Sequence, residues 1–190
     1  MSQLEWIAAA LGLANVLLLV RRSVWNYPFG MAMVALYVAI FWEARLYGEA
    51  GLQVFFFIAQ GWGWWLWLQA KGADSGVPVR WLDARSRTVW LMGIAALSLN
   101  AGWVMHRFTN AAAPYVDGPI TVASIAAQVL LVFRRVENWM LWIAIDTASI
   151  GLYLWRGLYP TAGLYAAFLA MSVLGLREWM RFAAPDKAAA

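Results

Sequence analysis

The sequence predicts an all-α integral membrane protein with seven transmembrane helices, on three observations. Hydrophobic residues make up 64% of the 190-residue chain and charged residues only 13%, giving a mean hydropathy of +0.63. A water-soluble domain of this size has no use for so much apolar surface. The apolar residues gather into seven runs long enough to cross a bilayer, and the lysines and arginines between them are shared unequally among alternate connectors. That imbalance is the charge bias that orients helices in a bilayer.

The seven runs cover about residues 4–20, 27–43, 52–69, 88–105, 118–133, 138–155 and 160–177. The first follows the acidic Glu5 and lacks a basic leader, so it reads as a span rather than a cleavable signal. Asn26-Tyr27-Pro28 introduces the second run and Asp117-Gly118-Pro119 the fifth, where proline in a first helical turn costs little. The one sizeable polar connector, Lys71 to Arg87, contains Gly72, Asp74, Ser75, Gly76 and Pro78 and reads as a loop too short for a second domain. Eleven of the 14 basic residues lie in the connectors after runs one, three, five and seven; Arg45, Arg107 and Arg156 lie in the others. The positive-inside rule then places the C-terminus in the cytoplasm and the N-terminus outside. The net charge of +4 and pI of about 9.7 follow from this orientation and do not call for nucleic acid.

An internal repeat recurs at a constant offset of 112 residues. Leu46-Tyr47-Gly48-Glu49-Ala50-Gly51-Leu52 lies over Leu158-Tyr159-Pro160-Thr161-Ala162-Gly163-Leu164 with five of seven residues matched. Without gaps the same offset superposes Asn26 on Asn138, Phe56 on Phe168, Gly63 on Gly175 and Trp67 on Trp179. The chain is therefore expected to be one membrane domain over 1–190, with a three-helix repeat at 1–69, a connector and linker helix at 70–110, and a second three-helix repeat at 111–182. This 3+1+3 plan makes the two copies parallel, one of the two recurrent transporter designs, with substrate held between the halves near the midplane.

Polar residues inside the spans mark the candidate site. Asp146 sits about two turns into the sixth span, and Trp139, Trp142, Asp146, Ser149 and Tyr153 recur on one helical face. A carboxylate in hydrocarbon is expensive and aromatic faces attract cations, so this face suits a flat, positively charged molecule. No span carries a lysine or arginine near its middle to neutralise Asp146. A cationic substrate, a transported proton or a bound Na⁺ would answer, as would a neutral acid hydrogen-bonded to a neighbouring helix. In the third span Gln53, Gln60, Trp64 and Trp67 share a face, although Trp62, Trp64, Trp65 and Trp67 could equally form an interfacial aromatic belt. In the fifth, Thr121, Ser124 and Gln128 form a stripe in which Gln128 is the candidate for substrate contact or interhelical glue. Asn15 and Asn100 read as packing glue. Asn26 and Asn138, at equivalent repeat positions, read as helix-end residues, the latter also a candidate contact.

Other chemistries are excluded. The chain has no cysteine, so no disulfide, thiolate metal site or cysteine nucleophile is available. A retinal protein needs a lysine in its last span, and Lys71 and Lys187 lie in connectors. A haem carrier needs paired histidines, and His106 is the only one. No serine–histidine pair or Gly-rich phosphate loop exists, so neither an enzyme nor a bound cofactor or metal is expected.

The runs Leu46-Tyr47 and Leu52-Gln53-Val54-Phe55-Phe56-Phe57, then Gly63-Trp64 and Trp67, then Glu137-Asn138-Trp139-Met140-Leu141-Trp142, together resemble the PnuC-type nicotinamide riboside transporters. The resemblance extends from about Asn26 to Trp179. It implies a seven-span fold like a full-length version of the SWEET plan, assembled as homotrimers in the bacterial inner membrane. It further implies facilitated diffusion of a vitamin, trapped inside by phosphorylation, with thiamine or riboflavin as substrates of related members. Carried onto this chain, the family's substrate contacts fall at Gln60, Trp64, Trp67 and the face holding Asn138, Trp142 and Asp146. Two positions depart: Asp146 stands where nicotinamide riboside carriers tend to show Asn, and Leu174 where they can carry Asn. The expected substrate is nicotinamide riboside first and thiamine second, both cations; a proton-coupled symporter using Asp146 is the alternative.

Overall fold

In a computed structural model of the protein, the described residues are 3–43, 47–70, 76–109, 113–155, 157 and 159–183. They form seven α-helices: α1 (Gln3–Val20), α2 (Asn26–Glu43), α3 (Tyr47–Ala70), α4 (Ala84–Phe108), α5 (Pro114–Val132), α6 (Glu137–Trp155) and α7 (Tyr159–Phe182). Several helices outrun the apolar stretches that announce them. α3 starts at Tyr47 rather than 52, α4 spans 84–108 rather than 88–105, and α7 continues to Phe182 rather than 177. The backbone keeps its own hydrogen bonds beyond the hydrocarbon, so a helix does not stop where its side chains turn polar. The fifth helix corrects an expectation in sequence terms too. Pro114 occupies its first turn, and Pro119 lies inside the helix rather than opening it. The Lys71–Ser75 part of the polar connector, with Arg45, Leu46, Arg156, Leu158 and Lys187, lies outside the described residues.

Among the described residues, α4 and α5 alone are long and apolar enough to qualify as membrane spans on hydropathy. Residues 6–20 of α1 are apolar but fall short of eighteen residues, while α2, α3 and α6 carry much of their apolar burden as Trp and Tyr, whose amphipathic rings favour the bilayer interface over its centre.

Helix contacts close a ring. α1 packs on α2, α2 on α3, α3 on α5, α5 on α6, α6 on α7, and α7 back on α1, while among the described residues α4 packs along α5 alone and reaches α6 through the Arg87–Glu137 pair. The α4–α5 crossing is close because it is made by glycines: a Cβ on Gly118 would lie 2.7 Å from the Gly102 nitrogen. The rest of α4 presents Leu91, Met92, Leu97, Leu99 and Phe108 outward, each more than half exposed.

Local structure recurs at the repeat spacing. α1 ends with Arg22 at φ 54° and α5 with Arg134 at φ 59°, the only non-glycine positive-φ residues described. Both turns close in the Schellman pattern. Arg22 N donates to Leu19 O (2.9 Å) and Ser23 N to Leu18 O (3.0 Å); Arg134 N donates to Leu131 O and Arg135 N to Leu130 O, both at 2.8 Å. The next helix is opened the same way each time, Asn26 Nδ2 donating to Ser23 O at 2.7 Å and Asn138 Nδ2 to Arg135 O at 2.5 Å.

The core lies at this basic end of the ring. Leu19, Val24, Tyr27, Trp67, Val77, Val79, Leu131, Val136, Trp139 and Trp179 form one buried cluster. At its centre Tyr27 meets Trp67 edge to face (5.3 Å, 87°), Trp139 meets Trp179 likewise (5.5 Å, 89°), and Trp67 meets Trp179 at 5.9 Å. These are favourable offset and T-shaped geometries. Glycine makes each pair fit. A Cβ on Gly63 would come within 2.6–2.9 Å of the Tyr27 ring and hydroxyl, and one on Gly175 within 2.5–2.6 Å of the Trp139 ring.

Candidate functional site

Asp146 points into the ring. It is 3% exposed, and Ser172 Oγ on α7 donates to its Oδ2 at 3.0 Å. Among the described residues it makes no salt bridge. Its stripe on α6 is the inward one: Trp139 and Ser149 are buried with it, and Trp142 and Tyr153 are partly so. Farther from the basic end Tyr165 of α7 packs its ring against that of Tyr153 at 5.1 Å. Phe168 meets Tyr165 edge to face at 5.9 Å. A carboxylate thus stands between two indoles on one side and phenols on the other, which is the chemistry of a cation-accepting cage.

The opposite half of the ring contributes amides. Gln60 of α3 is 7% exposed, and its side chain and that of Asn15 on α1 converge over Gly30 of α2. A Cβ there would clash with the Gln60 carbonyl oxygen and approach Asn15 Nδ2 to 2.6 Å. Asn15 also donates to Asn26 O at 2.6 Å, a helix-to-helix bond of the packing kind. At the repeat offset Gly30 corresponds to Trp142, Gln60 to Ser172 and Val34 to Asp146. The two halves therefore furnish the interior differently: amides over a bare glycine on one side, an indole and an acid on the other.

The remaining expected residues divide. Trp64 and Trp142 both pack, partly buried, against the aromatic core. Trp67 is wholly buried inside it, and its Nε1 finds no hydrogen-bond partner. Trp62 and Trp65 are 46% and 57% exposed, so α3 turns two of its indoles outward and two, Trp64 and Trp67, toward the core. Gln128 on α5 is 6% exposed and its Nε2 has no partner. Asn138 is fully buried, spending its Nδ2 on the turn before α6 and leaving Oδ1 without a partner. Leu174 is 54% exposed on the outer face of α7, so its departure from the family pattern does not touch the interior. Asn100 is exposed on α4.

Sequence reasoning missed Ser172, which carries the one hydrogen bond to Asp146 among the described residues, and the Tyr165–Tyr153 pair. The repeat offers a signal for the first, since Ser172 is the counterpart of Gln60. Charges at the basic end are held by packing. Arg22 lies 3.6 Å over the Phe182 ring. Burial lowers its pKa, and the Glu178 carboxylate works in the other direction. Burial likewise lowers that of Arg134, helped by the neighbouring Arg80.

A closed ring of apolar helices with acid, amides and aromatics turned inward is the architecture of a small-molecule carrier in a membrane. Comparison with known proteins gives the family. The family model described as nicotinamide mononucleotide transporter matches residues 2–181, and the chain belongs to that family. The nicotinamide riboside transporter PnuC of Escherichia coli (strain K12) is 29% identical over 208 residues, covering 95% of this chain and 87% of the relative. The riboflavin/roseoflavin transporter RibM of Streptomyces davaonensis is 25% identical over 178 residues, covering 92% and 83%. The crystal structure of the vitamin B3 transporter PnuC superposes with a TM-score of 0.79 at 27% identity, over 94% of this chain and 81% of that one. The protein is a bacterial membrane transporter.

Proposed function

We propose that the chain carries a flat cationic vitamin, nicotinamide riboside ahead of thiamine, across the bacterial inner membrane by facilitated diffusion, with phosphorylation inside the cell trapping the product. The carrying observation is Asp146, a buried carboxylate with a hydroxyl and, among the described residues, no cation beside it. A pyridinium or thiazolium ring supplies the missing charge. Trp64 and Trp142 stack on it, Gln60 and Gln128 bond its polar groups, and Trp67 and Asn138 form the floor beneath. The names of the relatives support a vitamin. The recurrence of turns, glycines and helix starts at the 112-residue spacing supports a 3+1+3 parallel, SWEET-like plan in which α1–α3 and α5–α7 rock about the central site. Seven spans put the N-terminus outside and the basic end in the cytoplasm, and the carrier works as a homotrimer.

Titration of nicotinamide riboside, thiamine and riboflavin against the purified protein tests this. The two cations should bind, and Asp146→Asn should weaken them by about tenfold or more, each tenfold being 1.4 kcal/mol, while leaving a neutral analogue of the same shape unchanged. Equal losses for cation and neutral analogue would remove Asp146 from the site, and binding of riboflavin alone would replace the substrate. A second reading, proton coupling through Asp146, is favoured by its lack of a permanent counter-ion. It requires uptake to follow an imposed pH gradient and to lose that dependence in Asp146→Asn.

A further inference from the structure

The segment 76–83 leading into α4 crosses the basic end of the ring as a strap between the two half-rings. Its attachments are unequal. To the α5–α6 side it is bound by Arg80 N to Arg134 O (3.1 Å) and Val136 N to Arg80 O (3.0 Å), an isolated bridge. Leu82 N donates to both carboxylate oxygens of Glu137 (3.0 and 3.2 Å), and Arg135 donates to Trp81 O (2.9 Å). Arg87 at the start of α4 pairs with the same carboxylate, Nε to Oε1, at 2.8 Å. To the α1–α2 side one backbone bond is described, Val77 N to Arg22 O at 3.1 Å. A cleft of about 230 Å³ runs along that edge, lined by Arg21, Arg22, Ser23, Trp25, Gly76 and Val77. Between the two attachments Val77 and Val79, 0% and 1% exposed, cap the aromatic core.

From this asymmetry we infer that the strap is the gate of the basic end. It travels with the α5–α7 half-ring, and the mouth opens where Val77 parts from the Arg22 turn. Glu137 is the positioning residue that keeps the strap on its own half. A substrate-facing role is ruled out for it, because its carboxylate is spent on Leu82 N–H and Arg87. The inference rests on the carrier reading for its use, but not for its geometry. One hydrogen bond beside a cleft is the weaker seam, and seams part at their weakest contacts.

The chain's lack of cysteine makes the test direct. Val79→Cys in purified protein should react slowly with a hydrophilic maleimide. Adding Glu137→Gln, or Arg87→Gln from the half-exposed side of the same pair, should raise that rate by about tenfold, the equivalent of ~1.4 kcal/mol of latching, with Glu137→Asp restoring most of the protection. Ala8→Cys, equally buried at 0% exposure and at the end of α1 away from the Arg22 turn, reports general unfolding. The gate is overturned if Val79→Cys is indifferent to Glu137 and Arg87, or if Ala8→Cys accelerates alongside it. A second arm ties the weak seam shut. A Cβ on Gly76 would lie 2.9 Å from that of Arg22, so Gly76→Cys with Arg22→Cys can form a disulfide after a small adjustment. Oxidation should abolish nicotinamide riboside uptake into liposomes and reduction restore it; undiminished uptake by the oxidised form would overturn the gate. A reduced form that moves no vitamin would instead sink the carrier reading, with the labelling arm still deciding the strap.

Discussion

Gly63 and Gly175 occupy equivalent repeat positions, and so do Gly51 and Gly163, but their surroundings are opposite. An alanine methyl at Gly175 would lie 2.5–2.6 Å from three atoms of the Trp139 ring, and one at Gly63 within 2.6–2.9 Å of Tyr27. Carbon contacts settle near 3.5–4.0 Å, so each ring must retreat by about 1 Å. Neither ring has room to move: Tyr27 is 0% and Trp139 1% exposed, and each is packed edge to face on a buried tryptophan. Overpacking of this kind costs about 1–3 kcal/mol. Gly51 and Gly163 have nothing within 4 Å of the added methyl, and alanine there gains about 0.5–1 kcal/mol of helix propensity. The assay is thermal unfolding of the four single Gly→Ala variants in one detergent, followed by tryptophan fluorescence. For a chain of this size 1 kcal/mol moves Tm by about 2–4 °C. Gly63→Ala and Gly175→Ala should therefore melt several degrees below the parent, and Gly51→Ala and Gly163→Ala at or above it. The packing argument is refuted if Gly175→Ala melts with Gly163→Ala.

Two further outcomes are expected. Arg22 holds a left-handed conformation that costs a side-chain-bearing residue about 1–2 kcal/mol, so Arg22→Gly should be more stable than Arg22→Ala by about 1 kcal/mol in the same melting assay; the reverse order would contradict the turn. Hydrogen bonds from Ser86, side chain before backbone, hold the Asp83 carboxyl at the start of α4 below its ordinary value of 3.8. A carboxyl whose folded pKa is depressed stabilises the fold above its unfolded pKa and loses that contribution as pH falls through the folded value. Asp83→Ala should accordingly melt lower than the parent at neutral pH, with the gap closing below about pH 4; a gap that persists in acid would assign the effect to something other than the carboxylate.

The number of helices was legible because hydrocarbon demands long apolar runs, and the paired turns and helix starts were legible because Asn, Gly and Trp stay in register at the 112-residue spacing. The reasons for that register were not. Gly63 and Gly175 are kept bare by rings on other helices, and Asn26 and Asn138 close turns whose left-handed residue is an arginine, a type that announces no turn. Helix ends were blurred for the reason seen at Tyr47 and Phe182: polar side chains end a hydrophobic run before the hydrogen-bond ladder ends. Among the candidate site residues, Asp146 declared itself by the expense of a charge in lipid. Ser172 did not, since an isolated serine in an apolar run is unremarkable until its partner is known. Glu137 read as part of a family-like stretch, and its bond to Leu82 joins segments far apart in sequence with no pattern to connect them.

Among the described residues α4 packs along α5 alone, and the ring closes without it. On the proposed 3+1+3 plan that has a topological use. Three crossings leave a chain on the far side from where it began, so a second triplet joined straight to the first would be threaded upside down. One additional crossing would restore the sense, and the turns after Val20 and Val132, both bonded to the strap, would then lie at the same end. On that plan the helix with the fewest packing partners is what lets two like halves face each other the same way up.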